Sequence, residues 1–211
     1  LNGVGTKAVN ALSSSFRIVS YRDGKSFEAV FERGVLKSKR EGSQGRESSG
    51  TLVEFTPDPD IFGEYSYNME FVEKRMRHYA YLNSGLSLEF NGQEFQSDAG
   101  LLDLLKDETG DDVIYETAYW RGDKIEFSFT HTNNYGEEYF SFVNGQFTSD
   151  GGTHLAAFRE GLLKAVNEFF QASYRGEDVR EGIAAAVAVK IKNPMFESQT
   201  KNKLGNGDIR P

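Results

Sequence analysis

Thr153-His154-Leu155-Ala156-Ala157-Phe158-Arg159-Glu160-Gly161-Leu162-Leu163-Lys164-Ala165-Val166-Asn167-Glu168-Phe169-Phe170 is the stretch from which the fold is read. Leu155, Phe158, Leu162, Val166 and Phe169 recur at spacings of three and four, which draws one apolar stripe along a helix from about His154 to Ala172. Thr153 is the candidate N-cap, since its hydroxyl can accept from a first-turn N–H. Phe169 and Phe170 are expected in the core. Upstream, Ile125, Phe127 and Phe129 alternate with polar residues, and Tyr139 to Val143 forms a second strand closed by the turn pair Asn144-Gly145. Downstream, Ile183 to Ile191 is a run of small and β-branched residues ended by Pro194, again a strand. Helix and strands mix here without regular βαβ alternation, so the chain is expected to be α+β rather than doubly wound.

Working outward, Asp98 is the candidate cap of a short helix carrying Leu101, Leu102, Leu104 and Leu105, and acidic Lys106 to Asp112 is the expected surface linker. Earlier, Met69, Val72, Met76 and Tyr79 mark a helix over about Ser66 to Leu82, stopped by Asn83-Ser84-Gly85. Leu86, Leu88 and Phe90 then alternate into an Asn91-Gly92 turn, with Phe95 on the returning strand. Near the start, Ala8, Val9, Ala11 and Leu12 give a short helix. Phe16 and Ile18, the Asp23-Gly24 turn, and Phe27, Ala29 and Phe31 give a hairpin. Ser38 to Ser49 reads as a polar loop, and Leu52 to Phe55 as a strand stopped by Pro57 and Pro59. Glu197 to Pro211 is a polar tail without periodicity. Two domains are expected, 1–97 and 98–211.

The chain has 211 residues, 38% hydrophobic and 27% charged, with 17 Phe and 10 Tyr, an ordinary globular balance. No apolar run reaches the roughly 18 residues of a membrane span, so no membrane partner is expected, and a cytoplasmic location fits. There is no Cys, so neither disulfides nor thiolate metal sites can form, and the three scattered His have no zinc spacing. No metal site is expected within the chain. The net charge of −8 argues against a broad phosphate-neutralising surface, hence against a nucleic-acid-gripping module. Because the first residue is Leu1, standing inside a glycine motif, we expect a piece of a longer protein.

That motif, Leu1-Asn2-Gly3-Val4-Gly5-Thr6-Lys7, lies directly before a helix. Glycines let the backbone approach a ligand, and the first helical turn offers unpaired N–H groups and a positive dipole end, which together make a phosphate cradle. The same residues also serve as a plain tight turn, and the spacing is not that of Gly-x4-Gly-Lys-Ser/Thr. Elsewhere, Thr51 can be an ordinary strand residue, Lys201 and Lys203 a solvated face, and Glu177, Asp178 and Glu181 a polar turn before a strand. His154 is expected to pack or hydrogen-bond; His78 and His131 have no partner nearby in sequence.

Taken together, five blocks resemble bacterial type IIA DNA topoisomerase ATPase subunits, the topoisomerase IV B and gyrase B kind. Leu1 to Gly5 with Ala8 to Ser13 resembles the glycine-rich lid motif and its helix. Ser49-Gly50-Thr51-Leu52-Val53-Glu54-Phe55 resembles the Gly-Thr strand of the same ATPase superfamily. Asp150-Gly151-Gly152-Thr153-His154 with Phe158-Arg159 is similar to the signature that opens the long transducer helix. Gly176 to Gly182 is similar to the segment entering the next strand. Gln199-Thr200-Lys201 with Lys203-Leu204-Gly205-Asn206 resembles the loop that reaches back to the nucleotide. The blocks fall in family order along nearly the whole chain. Asn2 departs from the His that many members carry, which leaves backbone contacts intact.

The resemblance implies that 1–97 completes an ATPase domain of the gyrase, Hsp90, histidine kinase and MutL type. It implies that 98–211 is a transducer with a ribosomal-S5-like fold. It assigns Leu1, Asn2, Gly3, Val4 and Gly5 to the ATP phosphates, Thr51 to the adenine end, and Gln199 and Lys201 to the γ-phosphate, with Lys201 catalytic. The implied cofactors are ATP and Mg²⁺, with the general base and the metal ligand upstream of Leu1, so this stretch alone is expected to be inactive. The implied partners are DNA, a topoisomerase A subunit in a heterotetramer, and a second B subunit in an ATP-dependent dimer. Two rivals stand beside this: a non-enzymatic S5-like interaction or RNA-binding module, and a MutL-type ATPase. Topoisomerase IV and gyrase are not separated by these residues, with topoisomerase IV the preferred of the two; against MutL, the blocks around Gly152 and Gln199 match topoisomerases better.

Overall fold

The computed structural model describes residues 4–43, 45 and 48–207. The chain divides into two compact units, the first ending at Tyr67 and the second beginning at Asn68.

The first unit is a four-stranded antiparallel sheet with a helix at one end. Its elements are α1 (Val4–Ala11), β1 (Ser13–Arg22), β2 (Lys25–Glu32), β3 (Val35–Ser43), β4 (Gly50–Pro57) and the short α2 (Pro59–Phe62). The strand order is β3-β2-β1-β4. Asp23-Gly24 closes β1 onto β2 with φ of 52° and 75°, the left-handed pair a two-residue hairpin needs, and Arg33-Gly34 repeats it at 50° and 78° between β2 and β3. Phe16, Val19 and Ala29 are buried, and Phe16 meets Phe31 edge-on at 6.2 Å. The expected loop at Ser38 to Ser49 is corrected: the strand continues to Ser43, because β3 pairs with β2 back to Lys25↔Ser43 and its polar side chains face solvent. α2 is held by Asp58, whose carboxylate accepts from the Asp60 N–H at 3.1 Å and is paired with Arg33 at 2.5 Å. That guanidinium holds the Asp58 carboxyl below the ordinary range.

The second unit is built on a five-stranded sheet. It runs α3 (Met69–Leu82), β5 (Leu88–Phe90), β6 (Gln93–Phe95), α4 (Leu101–Thr109), β7 (Ala118–Arg121), β8 (Ile125–His131) and β9 (Glu138–Val143). Then come β10 (Gln146–Phe147), α5 (Thr153–Phe170), α6 (Gly176–Arg180) and β11 (Ile183–Val189). The order is β10-β9-β11-β8-β7, with β11 parallel to β9 and antiparallel to β8. Central β11 is buried on both faces. Ala184 and Ala186 meet Leu101, Leu104, Leu105 and Tyr81 of the α3–α4 layer, while Val187 and Val189 join Val143 and Leu204, with Phe127 and Phe158 packed against them. Its alanines let α4 approach closely. The α+β class is therefore the observed one.

Several expected details are corrected by packing. The two compact units meet at Tyr67/Asn68, and Tyr81 of α3 packs in the same core as α4. The linker expected at Lys106 to Asp112 is instead largely the last turn of α4, which Gly110 stops at a φ of 56°, and the Tyr81 hydroxyl donates to Asp107 there. α3 starts at Met69, capped by Asn68, and it buries His78, Ala80 and Tyr81 while Met69 and Tyr79 are exposed. α4 is not capped by Asp98; the Glu126 carboxylate reaches over from β8 to accept from the Leu101 N–H at 2.9 Å. Thr153 is not a cap either: Gly152 occupies that position. Phe169 is 80% exposed and Phe170 61%, so the last turn of α5 lies at the surface of the unit instead of in its core.

Candidate functional site

The structure places the predicted residues in two groups, one in each unit. Leu1, Asn2 and Gly3 lie outside the described residues. Val4 and Gly5 form the start of α1, so the helix begins inside the glycine motif instead of after Thr6. Both are exposed, and a Cβ at Gly5 would meet nothing within 4 Å; the first N–H groups of a helix have no partner within it. Thr51 sits on β4, the edge strand beside β1, opposite Ser20 and exposed. It lies toward the far end of β4 from Pro57-Asp58, where the Asp58 N–H donates to the Leu12 carbonyl just past α1.

In the second unit, Gln199 and Lys201 come together at the tip of a tightly closed loop. Ser198 to Lys201 forms a turn in which the Lys201 N–H donates to the Ser198 carbonyl at 3.1 Å. The Ser198 and Thr200 hydroxyls lie 2.6 Å apart across it. Lys201 has a φ of 58°, a left-handed conformation that a side chain with a Cβ adopts only where its surroundings enforce it. Both Gln199 and Lys201 are exposed, so their polar ends are available.

What enforces that conformation is the stem. The Glu197 N–H donates to the Lys203 carbonyl at 3.1 Å and the Gly205 N–H to the Met195 carbonyl at 2.8 Å. Lys203 and Glu197 pair at 3.0 Å. Buried Asn206 straddles the base, accepting from the Met195 N–H at 2.6 Å and donating to the Asn193 carbonyl at 3.1 Å. Leu204, 0% exposed, pins the loop to the core. Within the polar tail, residues 197–207 are thus a fixed structure carried by two buried residues, Leu204 and Asn206.

The stem is also joined to the start of α5. Gly152 pairs with Leu204: the Leu204 N–H donates to the Gly151 carbonyl and the Thr153 N–H to the Leu204 carbonyl, each at 3.1 Å. Gly152 has a φ of 132°, and a Cβ there would lie 2.4 Å from the Leu204 oxygen, so only glycine fits. The Asp150 N–H adds a bond to the Asn202 carbonyl at 3.0 Å. Gly152, Leu204 and Asn206 therefore hold the loop in place, a part for which residue-by-residue reading gave no role. The signal was present as a Gly-Gly pair ahead of a helix and an isolated Leu in a polar tail.

Behind the loop, α5 is fastened to the sheet by charge. Arg159 lies 4.1 Å from the Tyr139 ring centre and pairs with Glu137 at 3.3 Å, and Arg180 reaches the same carboxylate at 3.1 Å. Burial acts to raise the Glu137 pKa, but its bonds to Tyr139 and Arg180 and the charge of Arg159 win and lower it. Burial pushes the Tyr139 hydroxyl up to about 12. His154 is buried with Nε2 3.3 Å from the Thr148 hydroxyl, and burial lowers its pKa to about 4, so it is neutral and structural. Among the described residues no three His, Asp or Glu gather into a cation site, and no helix is long and apolar enough to cross a membrane.

The sequence profile of the DNA gyrase B family matches residues 99–211. The chain is 56% identical over 211 residues to the B subunit of DNA topoisomerase 4 from Borreliella burgdorferi, covering 100% of this chain and 35% of that protein. It is 35% identical to the B subunit of DNA gyrase from Thermotoga maritima, again over 100% of this chain and 37% of the relative. It therefore spans about a third of the length of such relatives. Among solved structures, the 43K ATPase domain of Thermus thermophilus gyrase B in complex with an aminocoumarin superposes with a TM-score of 0.80 at 34% identity, covering 99% of this chain and 62% of that one. The ATPase region of Saccharomyces cerevisiae topoisomerase II shares the fold, with a TM-score of 0.78 at 22% identity, over 97% and 55% of the two chains.

Proposed function

The chain belongs to the DNA gyrase B family, and from that premise we propose that it is the lid-and-transducer part of the B subunit of an ATP-dependent type II DNA topoisomerase. The observation that carries this reading is the Gln199–Lys201 tip, two polar side chains presented on a loop clamped to the head of α5. In this reading Lys201 places an ammonium on the γ-phosphate and offsets charge on the transferring phosphoryl group, and Gln199 donates beside it. Leu1 to Gly5 would hold the phosphates through backbone N–H groups, and Thr51 would hydrogen-bond at the adenine end. Residues 1–97 would belong to the ATPase domain and 98–211 to an S5-like transducer. A Mg²⁺ ion bound with the nucleotide would neutralise phosphate charge; its ligand would lie upstream of Leu1.

Because Leu204 ties the tip to Gly152, loss of the γ-phosphate contact would be felt at the start of α5, which gives the chain a route from nucleotide state to domain position. In the whole cytoplasmic enzyme the B subunit would dimerise on ATP and act with an A subunit on DNA. The higher identity to the topoisomerase 4 relative, 56% against 35% for the gyrase relative, supports the topoisomerase IV assignment. Calorimetric titration with a non-hydrolysable ATP analogue tests the split site, using this chain beside the same chain extended upstream. Tight binding only by the longer protein supports it, and binding by neither refutes it. In the intact protein, Lys201→Ala should nearly abolish turnover while leaving the melting temperature unchanged; near-normal turnover would remove its catalytic role.

A further inference from the structure

At one end of the five-stranded sheet lies a crevice of about 380 Å³, bounded by the end of α3, the β7–β8 turn and the end of β11. Its apolar wall is formed by Leu82, Ile125, Ala188 and Val189. Arg121, Lys124 and Lys190 line it as well, within a chain whose net charge is −8. The one carboxylate inside, Glu126, is already engaged. It accepts from the Leu101 N–H at 2.9 Å and the Tyr119 hydroxyl at 3.2 Å, and faces Arg121 at 3.6 Å.

Lys124 and Lys190 carry the argument further. The ladder pairs Val189 with Ile125, so the next residues outward stand directly opposite each other, and the Lys190 N–H donates to the Lys124 carbonyl at 2.8 Å. Directly opposed residues of an antiparallel pair project to the same face, where two like charges repel. Among the described residues neither ammonium pairs with a carboxylate. Two exposed lysines joined through their backbones thus stand beside a concave, partly apolar surface with a third cation on its wall. A bound group with two or more negative charges would convert that repulsion into attraction.

We propose that this crevice is a binding site for a small phosphorylated molecule, separate from the loop that carries Lys201. The concave shape and apolar wall favour a compact ligand that enters it over a nucleic-acid duplex, which spreads its phosphates along an open surface.

The test is calorimetric titration of the chain with inorganic pyrophosphate, and in parallel with a 20-base-pair DNA duplex, at low salt. Pyrophosphate should bind, and Lys124→Gln and Lys190→Gln should each weaken it by about tenfold, the size of one charge-assisted contact. Lys201→Ala should leave that binding unchanged. Without ligand, Lys190→Glu should raise the melting temperature, because it turns the opposed like charges into an opposite-charge pair. Absence of pyrophosphate binding overturns the proposal, as does binding that disappears with Lys201→Ala and survives the other two changes. Duplex binding that depends on Lys124 and Lys190 while pyrophosphate does not bind assigns the cations to nucleic acid and overturns the small-ligand reading. A lower melting temperature for Lys190→Glu removes the electrostatic premise.

Discussion

Replacing Gly152 with Ala should release the Lys201 loop without unfolding the unit that carries it. The added Cβ would lie 2.4 Å from the Leu204 oxygen, 2.5 Å from its nitrogen and 2.9 Å from its Cα. Ordinary contact begins near 3.4 Å, so the segment bearing Leu204 must retreat by about 1 Å. A retreat of that size breaks the two bonds of 3.1 Å that join Leu204 to Gly151 and Thr153. Each is worth about 1 kcal/mol, and holding Ala at the Gly152 φ adds roughly 1–3 kcal/mol. Letting the loop go is the cheaper response, so the expected loss is about 3–5 kcal/mol locally, enough to populate an open loop. Trypsin reads this out, since Lys201 and Lys203 lie in the loop. Cleavage there should accelerate by at least about tenfold, in line with a local loss above 1.4 kcal/mol. ATP turnover of the intact protein should fall as it does for Lys201→Ala. Unchanged cleavage together with unchanged turnover would refute the claim that Gly152 holds the loop.

Three further outcomes follow from the same structure. His78 is buried edge-on to Phe142, with a ring distance of 5.4 Å, and burial, then Lys74 and Arg75, lowers its pKa to about 4. The unfolded chain takes up that proton near pH 6.5 while the folded chain resists it. The contribution is therefore complete above pH 6.5 and falls by up to about 3 kcal/mol toward pH 4; buried His154, lowered in the same way, adds a loss of its own over this range, so urea titrations should show a smaller acid loss in His78→Phe than in the wild type, and an equal loss in both would assign it elsewhere. Lys201→Gly should relieve the left-handed strain, leaving stability equal or higher by up to about 1 kcal/mol while turnover is lost; a lower melting temperature would show that Lys201 supports the fold. Asp58→Asn keeps an acceptor for the α2 cap but loses the charge paired with Arg33. In the variant the first unit should melt earlier at neutral pH, and the wild type should lose its advantage on acidification, since a depressed carboxylate pKa stabilises only while the group is ionised; equal melting at pH 7 would contradict the pairing.

The sequence by itself determined what depends on neighbours along the chain. The alternation through Phe16, Ile18, Phe27 and Phe31, and that through Ile125, Phe127 and Phe129, specified strands. Asp23-Gly24, Asn91-Gly92 and Asn144-Gly145 specified hairpin turns at the positive φ they adopt. The spacing of Leu155, Phe158 and Leu162 specified α5. The family, too, was legible in blocks of local order. Tertiary structure decided whatever depended on a partner far away in sequence. β3 extends through residues with no apolar pattern because β2 supplies its hydrogen bonds. The α4 cap comes from Glu126 across the sheet, which no local cap motif can announce. Phe169 and Phe170 fit an apolar stripe, yet both are left exposed at the end of α5. The candidate site shows the division most clearly. Gln199 and Lys201 can be named from their motif, but their fixed presentation rests on Leu204 entering a core built from β9 and β11, and on its backbone meeting Gly152. The Gly152–Leu204 contact joins segments about fifty residues apart, and only the folded sheet brings them within hydrogen-bonding reach.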